Sequence, residues 1–383
     1  MNNDSIKELI DSEISRAPVL CEDFFREYLE GMRSAPMDCH DCFGGDVLKT
    51  YKFDMQRFLA KQSVHLKSMG FNHTIIGDFI DSSEINAFGM TAGNISFIGI
   101  NVGVWVKLNF IFGILSKGLE IDADANDVES AAEKFDEYKK NYGELAVSIL
   151  ESEDMAYLRE IKNHYRDLAF NQFACNAARM CLEYILAHEY FHIALGHTKF
   201  LNEYHRDYML NEAEQKGASW NQEYFPNIDF HSLELEADCY SAIGMARAFQ
   251  QGRMMFGKLA MDDEQFVVHL SFSLSVLFAL LDISGSKISD CNSIKHPHPD
   301  LRMLMISYAL MDASPKILEN ESMWNSCHEF ALELLLMLGM NMPLFRKMES
   351  ENYRSDKLDK ILELYQSSNT KMFCKTKKYR MGT

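Results

Sequence analysis

From Tyr165 to Leu195 the chain runs without a proline or a glycine, apolar at helical spacing, and then meets Gly196. A run of that length and pattern predicts one long helix, with glycine supplying the stop. Its flanks are helix formers and apolar residues, so most of its surface has to be buried. The polar groups it carries near its end, His188, Glu189 and His192 in ILAHEYFHIALGH, are therefore carried into the interior with it.

The rest of the chain is read around this helix. Residues 1 to about 90 read as short helices broken at Ala35-Pro36, Gly44-Gly45 and Gly70. Ile95 to Val104, ISFIGINVGV, is short, β-branched and preceded by Gly93-Asn94, which predicts a strand. Leu108 to Leu115 opens a helix, and the acidic stretch from Glu120 to Glu160 predicts one or two solvated helices. A helix is expected over about Leu233 to Gln250, a buried one over 264–283, and two more after the loop His296-Pro297-His298-Pro299. The fold class is mostly α (α+β), a small sheet and an active-site helix surrounded by helices. Seven prolines and no Ser- or Gln-rich linker argue for one body rather than beads on a string.

Composition narrows the function classes. The formal net charge of −18 repels nucleic-acid phosphates and anionic lipid, so neither is expected as a partner. Nine scattered cysteines in a chain of 383 residues point to a reducing compartment rather than to a disulfide framework. MNNDSIKELIDSEI has neither a basic nor an apolar leader segment. The most hydrophobic stretch, Phe266 to Ile283, carries His269, three serines and Asp282, whereas a bilayer helix wants about 20 cleanly apolar residues. These readings favour a soluble, cytoplasmic protein. The basic tail KMFCKTKKYR, with Lys371, Lys375, Lys377, Lys378 and Arg380, reads as a solvated terminus, and otherwise as a docking element for an acidic partner.

His188 and His192 are four residues apart, so on a helix both imidazoles point the same way and can share one tetrahedral zinc ion, with Glu189 beside them as proton acceptor. Catalytic zinc wants a third protein ligand and a water. Leu195 and Thr198 occupy the positions where a glycine and a third histidine would follow in a metzincin. His197 lies five residues past His192, off the ligand face, and is read as a capping or surface residue. The remaining source is a carboxylate on a later helix. In HSLELEADCYSA, Glu234 and Asp238 are i,i+4 partners on one face and Glu236 points elsewhere. One of the pair can bind zinc while the other accepts a hydrogen bond from a ligand imidazole.

HEYFHIALGH followed by ELEAD resembles the gluzincin metallopeptidases of the CAAX-prenyl-protease and HtpX type, whose motifs read HExxHxxxGH and ExxAD. A third motif of that family, His-Pro with an arginine six residues after the histidine, is matched by His296-Pro297 and Arg302. The motifs occur in the family's order. The resemblance implies that His188, His192 and Glu234 bind one Zn²⁺ per chain, that Glu189 is the base and that Asp238 orients a ligand histidine. It also implies that His296 and Arg302 line the site: His296 as the group facing the developing oxyanion, Arg302 as a loop anchor or a contact to a substrate carbonyl. Those relatives are membrane-embedded. The Lit-type phage-exclusion peptidases are a soluble family with the same motif order, implying a role in bacterial defence or toxicity. The resemblance covers residues 165–305, and suggests an N-terminal helical region 1–90, a zincin-like metallopeptidase domain 91–345 and a C-terminal helix and basic tail 346–383.

Two weaker patterns are read as ordinary surface. Cys39-His40-Asp41-Cys42 has zinc-knuckle spacing and no second pair. Asp122, Asp124, Asn126 and Glu133 match part of a calcium loop, with Asp127 where its glycine belongs. The function expected is an endopeptidase acting on a protein or peptide substrate, with the strand at 95–104 adding substrate backbone at its edge. The alternative is a zinc-binding regulatory or sensor protein that binds its partner without cutting it.

Overall fold

The computed structural model describes residues 3–29, 31–35, 45–124, 128–164, 172–204, 210–211, 227–257, 259–285, 297, 299–313, 321–340 and 370–381. The Cys39–Cys42 group, His296 and His298 lie outside them, as do residues 165–171. The chain is mostly helical with one small mixed sheet, as its pattern predicts.

Two long helices, Asn3–Tyr28 and Gly45–Ser68, replace the short ones expected at the N-terminus, and two strands follow them: β1, Thr74–Ile80, and β2, Ala87–Ala92. With β3, Ile95–Asn101, and β4, the two residues Leu210–Asn211, they make a sheet in the order β1-β3-β2-β4. β1 runs parallel to β3, pairing Thr74 with Ile95 through Ile80 with Asn101; β2 runs antiparallel to β3 across the turn Gly93-Asn94. A boundary at residue 90 falls inside β2, so the first 90 residues are not separate from this sheet.

Both faces of the sheet are covered. Ala17, Cys21, Phe24 and Phe25 of the first helix pack on Ile76, Ile80, Phe88 and Phe97. On the other face Met55 and Leu59 of the second helix meet Ile75, Phe79 and Ile98. A strand buried on both faces reads as a continuous apolar run, which is why TIIGDFI has no alternation to betray it. The strand expected over 95–104 ends at Asn101, because the backbone N–H of Gly103 donates to Ser82 O at 2.8 Å and the helix Val102–Asp124 starts there. β3 is also no edge: β1 and β2 take both its sides. Substrate addition along 95–104 is therefore not open to this fold.

The helix Gln172–Ala194, hereafter the site helix, packs against Val102–Asp124, Asn227–Gln250, Asp263–Gly285 and β2. It is apolar nearly all round because it is surrounded. Among the described residues two helices are long and apolar enough to cross a bilayer, Val102–Ile121 and Asp263–Leu281, and 89% and 72% of those windows are buried inside the molecule. Burial against neighbouring helices accounts for their composition. Helices Pro299–Ala313 and Glu321–Met337 complete the helical layer. Residues 122–124 and 128–133 are helical, which leaves at most a three-residue gap and excludes a twelve-residue calcium loop there. Lys371, Lys377 and Lys378 of the basic tail are exposed as expected, yet the segment is docked. Met372 is buried against Phe200, Leu201, Phe230 and Leu233, and the N–H of Met381 donates to Ala194 O at 2.8 Å.

Candidate metal centre

The site helix carries His188 and His192 one turn apart, and their rings meet edge to face with centroids 4.5 Å apart. The two Nε2 atoms converge to 2.9 Å. Asn227–Gln250, the carboxylate helix, lies across them and brings Glu234 Oε2 to 3.3 Å from His188 Nε2 and Oε1 to 3.5 Å from His192 Nε2. All three residues are at most 3% exposed, and one ligand atom from each falls within 4.8 Å of the others. Among the described residues this is the group of His, Cys, Asp and Glu side chains that can hold a metal ion. Ligands on a tetrahedral zinc with bonds near 2 Å stand about 3.3 Å apart, and the observed separations bracket that value. Burial pushes His192 down to about 4 despite the opposing pull of Glu234, so it is the neutral imidazole that metal binding needs.

Asp238 stands behind His188, its Oδ1 3.0 Å from His188 Nδ1. That leaves His188 Nε2 for the centre and accounts for the i,i+4 spacing with Glu234. Arg302 clamps Asp238 with two bonds, Nε to Oδ2 and Nη2 to Oδ1, both 2.8 Å, and the Tyr184 hydroxyl donates to the same carboxylate. Burial alone would raise Asp238; the charge and hydrogen bonds of Arg302, with those of His188, outweigh it and hold the carboxyl well below the usual range. Arg302 is 3% exposed and lies over the Phe278 ring at 4.2 Å. This corrects its expected contact with a substrate carbonyl: its bidentate partner is Asp238, and it bears on the site from behind. His296, expected near the metal, lies outside the described residues.

His197 is also corrected. It is fully buried, not a surface residue, and its Nδ1 is 3.0 Å from His192 Nδ1. Its Nε2 is 3.1 Å from Glu236 Oε2. Glu236 does point away from the centre, as its spacing requires, and meets Arg380 of the tail, whose Nη2 donates to Oε1 at 2.8 Å and to Oε2 at 2.9 Å. Burial would raise Glu236, yet the bonds and charges of His197 and Arg380 hold it below its ordinary value. The signal for His197 was present in the sequence: a histidine just past a glycine stop is turned back toward the helix end. Gly196 has φ +77°, the left-handed conformation that ends a helix at low cost only for glycine. A side chain there would also meet the Tyr379 backbone at 2.6 Å.

Glu189 is 1% exposed and faces β2. A Cβ at Gly89 would stand 2.9 Å from Glu189 Oε2, so the strand passes close beside this carboxylate. A buried hydroxyl chain fixes the turn beyond: Ser96 to Thr91 at 2.6 Å and Thr91 to Thr198 at 2.7 Å, with His73 on Ser96 at 2.8 Å. Glu189 is thus held between a helix and a sheet. Comparisons with known protein families, with curated proteins and with solved structures returned no match.

Proposed function

We propose that this chain is a zinc-dependent endopeptidase that hydrolyses a peptide bond in a protein substrate, acting in the cytoplasm. The observation that carries the reading is the buried His188–His192–Glu234 cluster, with Glu189 following His188 on the same buried helix. Two nitrogens and a carboxylate are a donor set suited to catalytic zinc, which keeps its fourth position open. The gluzincin-like motif order supports the same assignment, and the Lit-type resemblance supports a role in bacterial defence or toxicity.

Zinc, when bound, supplies a Lewis acid that polarises a carbonyl and lowers the pKa of water toward neutrality. The chain's own groups do the rest. Glu189 takes a proton from the attacking water and returns it to the leaving amine. Asp238 holds the proton of His188 on Nδ1, and Arg302 and Tyr184 keep Asp238 ionised and in place. β2 is the strand next to Glu189, and β3 and β4 take both its sides at Phe88 and Gly89.

A second reading has its own support. His188, Glu189, His192 and Glu234 are each at most 3% exposed, as in a metal site that stabilises a binding protein. The two separate on Glu189, which binding does not require. Mapping of new protein N-termini in cells expressing wild type or Glu189→Gln tests this: the peptidase yields cleavage products that the variant lacks. Identical N-termini from the two, under phage infection as well, favour the binding protein.

A further inference from the structure

Residues 370–381 return to the back of the metal centre from the end of the chain. Residues 370–376 are helical, Lys377–Tyr379 form a 3-10 turn, and Arg380 continues extended. The segment is seated by buried Met372, by Tyr379 over Gly196, by Lys378 on Glu203 at 3.1 Å and by Met381 on Ala194. These contacts leave the Arg380 side chain 8% exposed, stacked 4.4 Å over Phe373 and bonded to Thr376 Oγ1 at 3.3 Å. A cation held this firmly, with Nη2 shared between the two Glu236 oxygens and Nε on Thr376, is placed rather than solvated.

The hydrogen bonds beyond Glu236 have only one consistent direction. If His192 offers Nε2 to the metal, its proton sits on Nδ1 and is donated to His197 Nδ1. His197 then carries its own proton on Nε2 and donates it to Glu236, whose acceptor role Arg380 secures. The other ligand histidine also has a carboxylate behind it, Asp238 Oδ1 at 3.0 Å from Nδ1, with Arg302 as the fixed cation. Each imidazole thus has a carboxylate–arginine pair behind it, one direct and one through an intervening histidine.

Taking His188, His192 and Glu234 as the metal centre, we propose that Arg380 is a positioning residue of that centre. Through Glu236 and His197 it fixes the tautomer and ring orientation of His192, so the docked C-terminal segment is part of what retains the metal. The tail's acidic partner is the chain itself.

Zinc affinity of the full-length protein, measured by competition with a chromophoric chelator, tests this apart from any activity. Arg380→Met should bind zinc about tenfold more weakly, in the range typical of groups that orient a ligand. Arg380→Lys should restore most of the loss. In a His197→Phe background Arg380→Met should add little, because the route to His192 is already cut. Wild-type affinity in Arg380→Met, or a loss that adds in full to that of His197→Phe, overturns the proposal while leaving the metal centre intact. Absence of zinc binding by the wild type instead removes the metal reading, and this proposal with it. Should Arg380→Met fail to fold by circular dichroism, Glu236→Gln replaces it: reduced zinc affinity supports the chain, and unchanged affinity overturns it.

Discussion

Asp238 and Arg302 form a buried ion pair whose two roles, holding the fold and holding His188, can be separated by mutation. Asp238 is 0% exposed and Arg302 3%. Replacing Asp238 with leucine takes from the buried Arg302 guanidinium its bidentate carboxylate, and Arg302→Met takes that guanidinium from a buried carboxylate. Breaking such a pair from one side costs about 3–5 kcal/mol. Against a total stability on the order of 5–15 kcal/mol, either single variant should be near unfolding. Asp238→Leu/Arg302→Met removes both charges and sets apolar groups beside Phe278, an exchange that is often neutral or stabilising. Tyr184 loses its acceptor, at about 1–3 kcal/mol, so recovery should be large but incomplete. The double variant should therefore exceed each single by about 2 kcal/mol in urea denaturation of the metal-free protein. Its zinc affinity should stay down by about 10–100-fold, because His188 Nδ1 has lost the carboxylate 3.0 Å away. A double variant as unstable as the two singles summed, or one that binds zinc like wild type, refutes the reasoning.

Two further effects follow from groups around the site. Gly196→Ala forces a side chain into a left-handed conformation and against the Tyr379 backbone, and should cost about 2 kcal/mol or more in denaturant unfolding; a change under about 0.5 kcal/mol contradicts the tail contact. Glu183 accepts from the N–H groups of Met255 and Phe256 at 3.2 and 3.1 Å, and burial, opposed by Arg179, pushes it up to about 7. Its folded state holds the proton more tightly than the unfolded chain, so its contribution to stability falls as pH rises from about 4.5 to about 7. The stability gap between wild type and Glu183→Gln should shift toward the variant from pH 5 to pH 8, and a gap constant across that range contradicts the shift.

What was legible in the sequence was what depends on spacing along one element. His188, Glu189 and His192, and the pairing of Glu234 with Asp238, follow from helical geometry, and the structure brings His188, His192 and Glu234 together as a group that can hold a metal ion. β1 escaped because burial on both faces removes alternation. The helix at Val102 was taken partly for strand because VGVWV is β-branched, and tertiary burial overrides that propensity. The partners of His197 and Arg380 escaped for a different reason. Arg380 meets a carboxylate 144 residues earlier in the chain, and composition alone makes such a tail look solvated. Arg302 was picked out by its spacing to His296, yet its bonds run to Asp238.

The central claim rests on a third ligand that two histidines cannot replace. Metal analysis of purified wild type, Glu189→Gln and Glu234→Ala, after dialysis against a weak chelator, addresses it directly. The first two should hold one zinc per chain, because Glu189 is not a ligand, and Glu234→Ala should hold essentially none. Full zinc in Glu234→Ala, or none in the wild type, contradicts the metal centre described here.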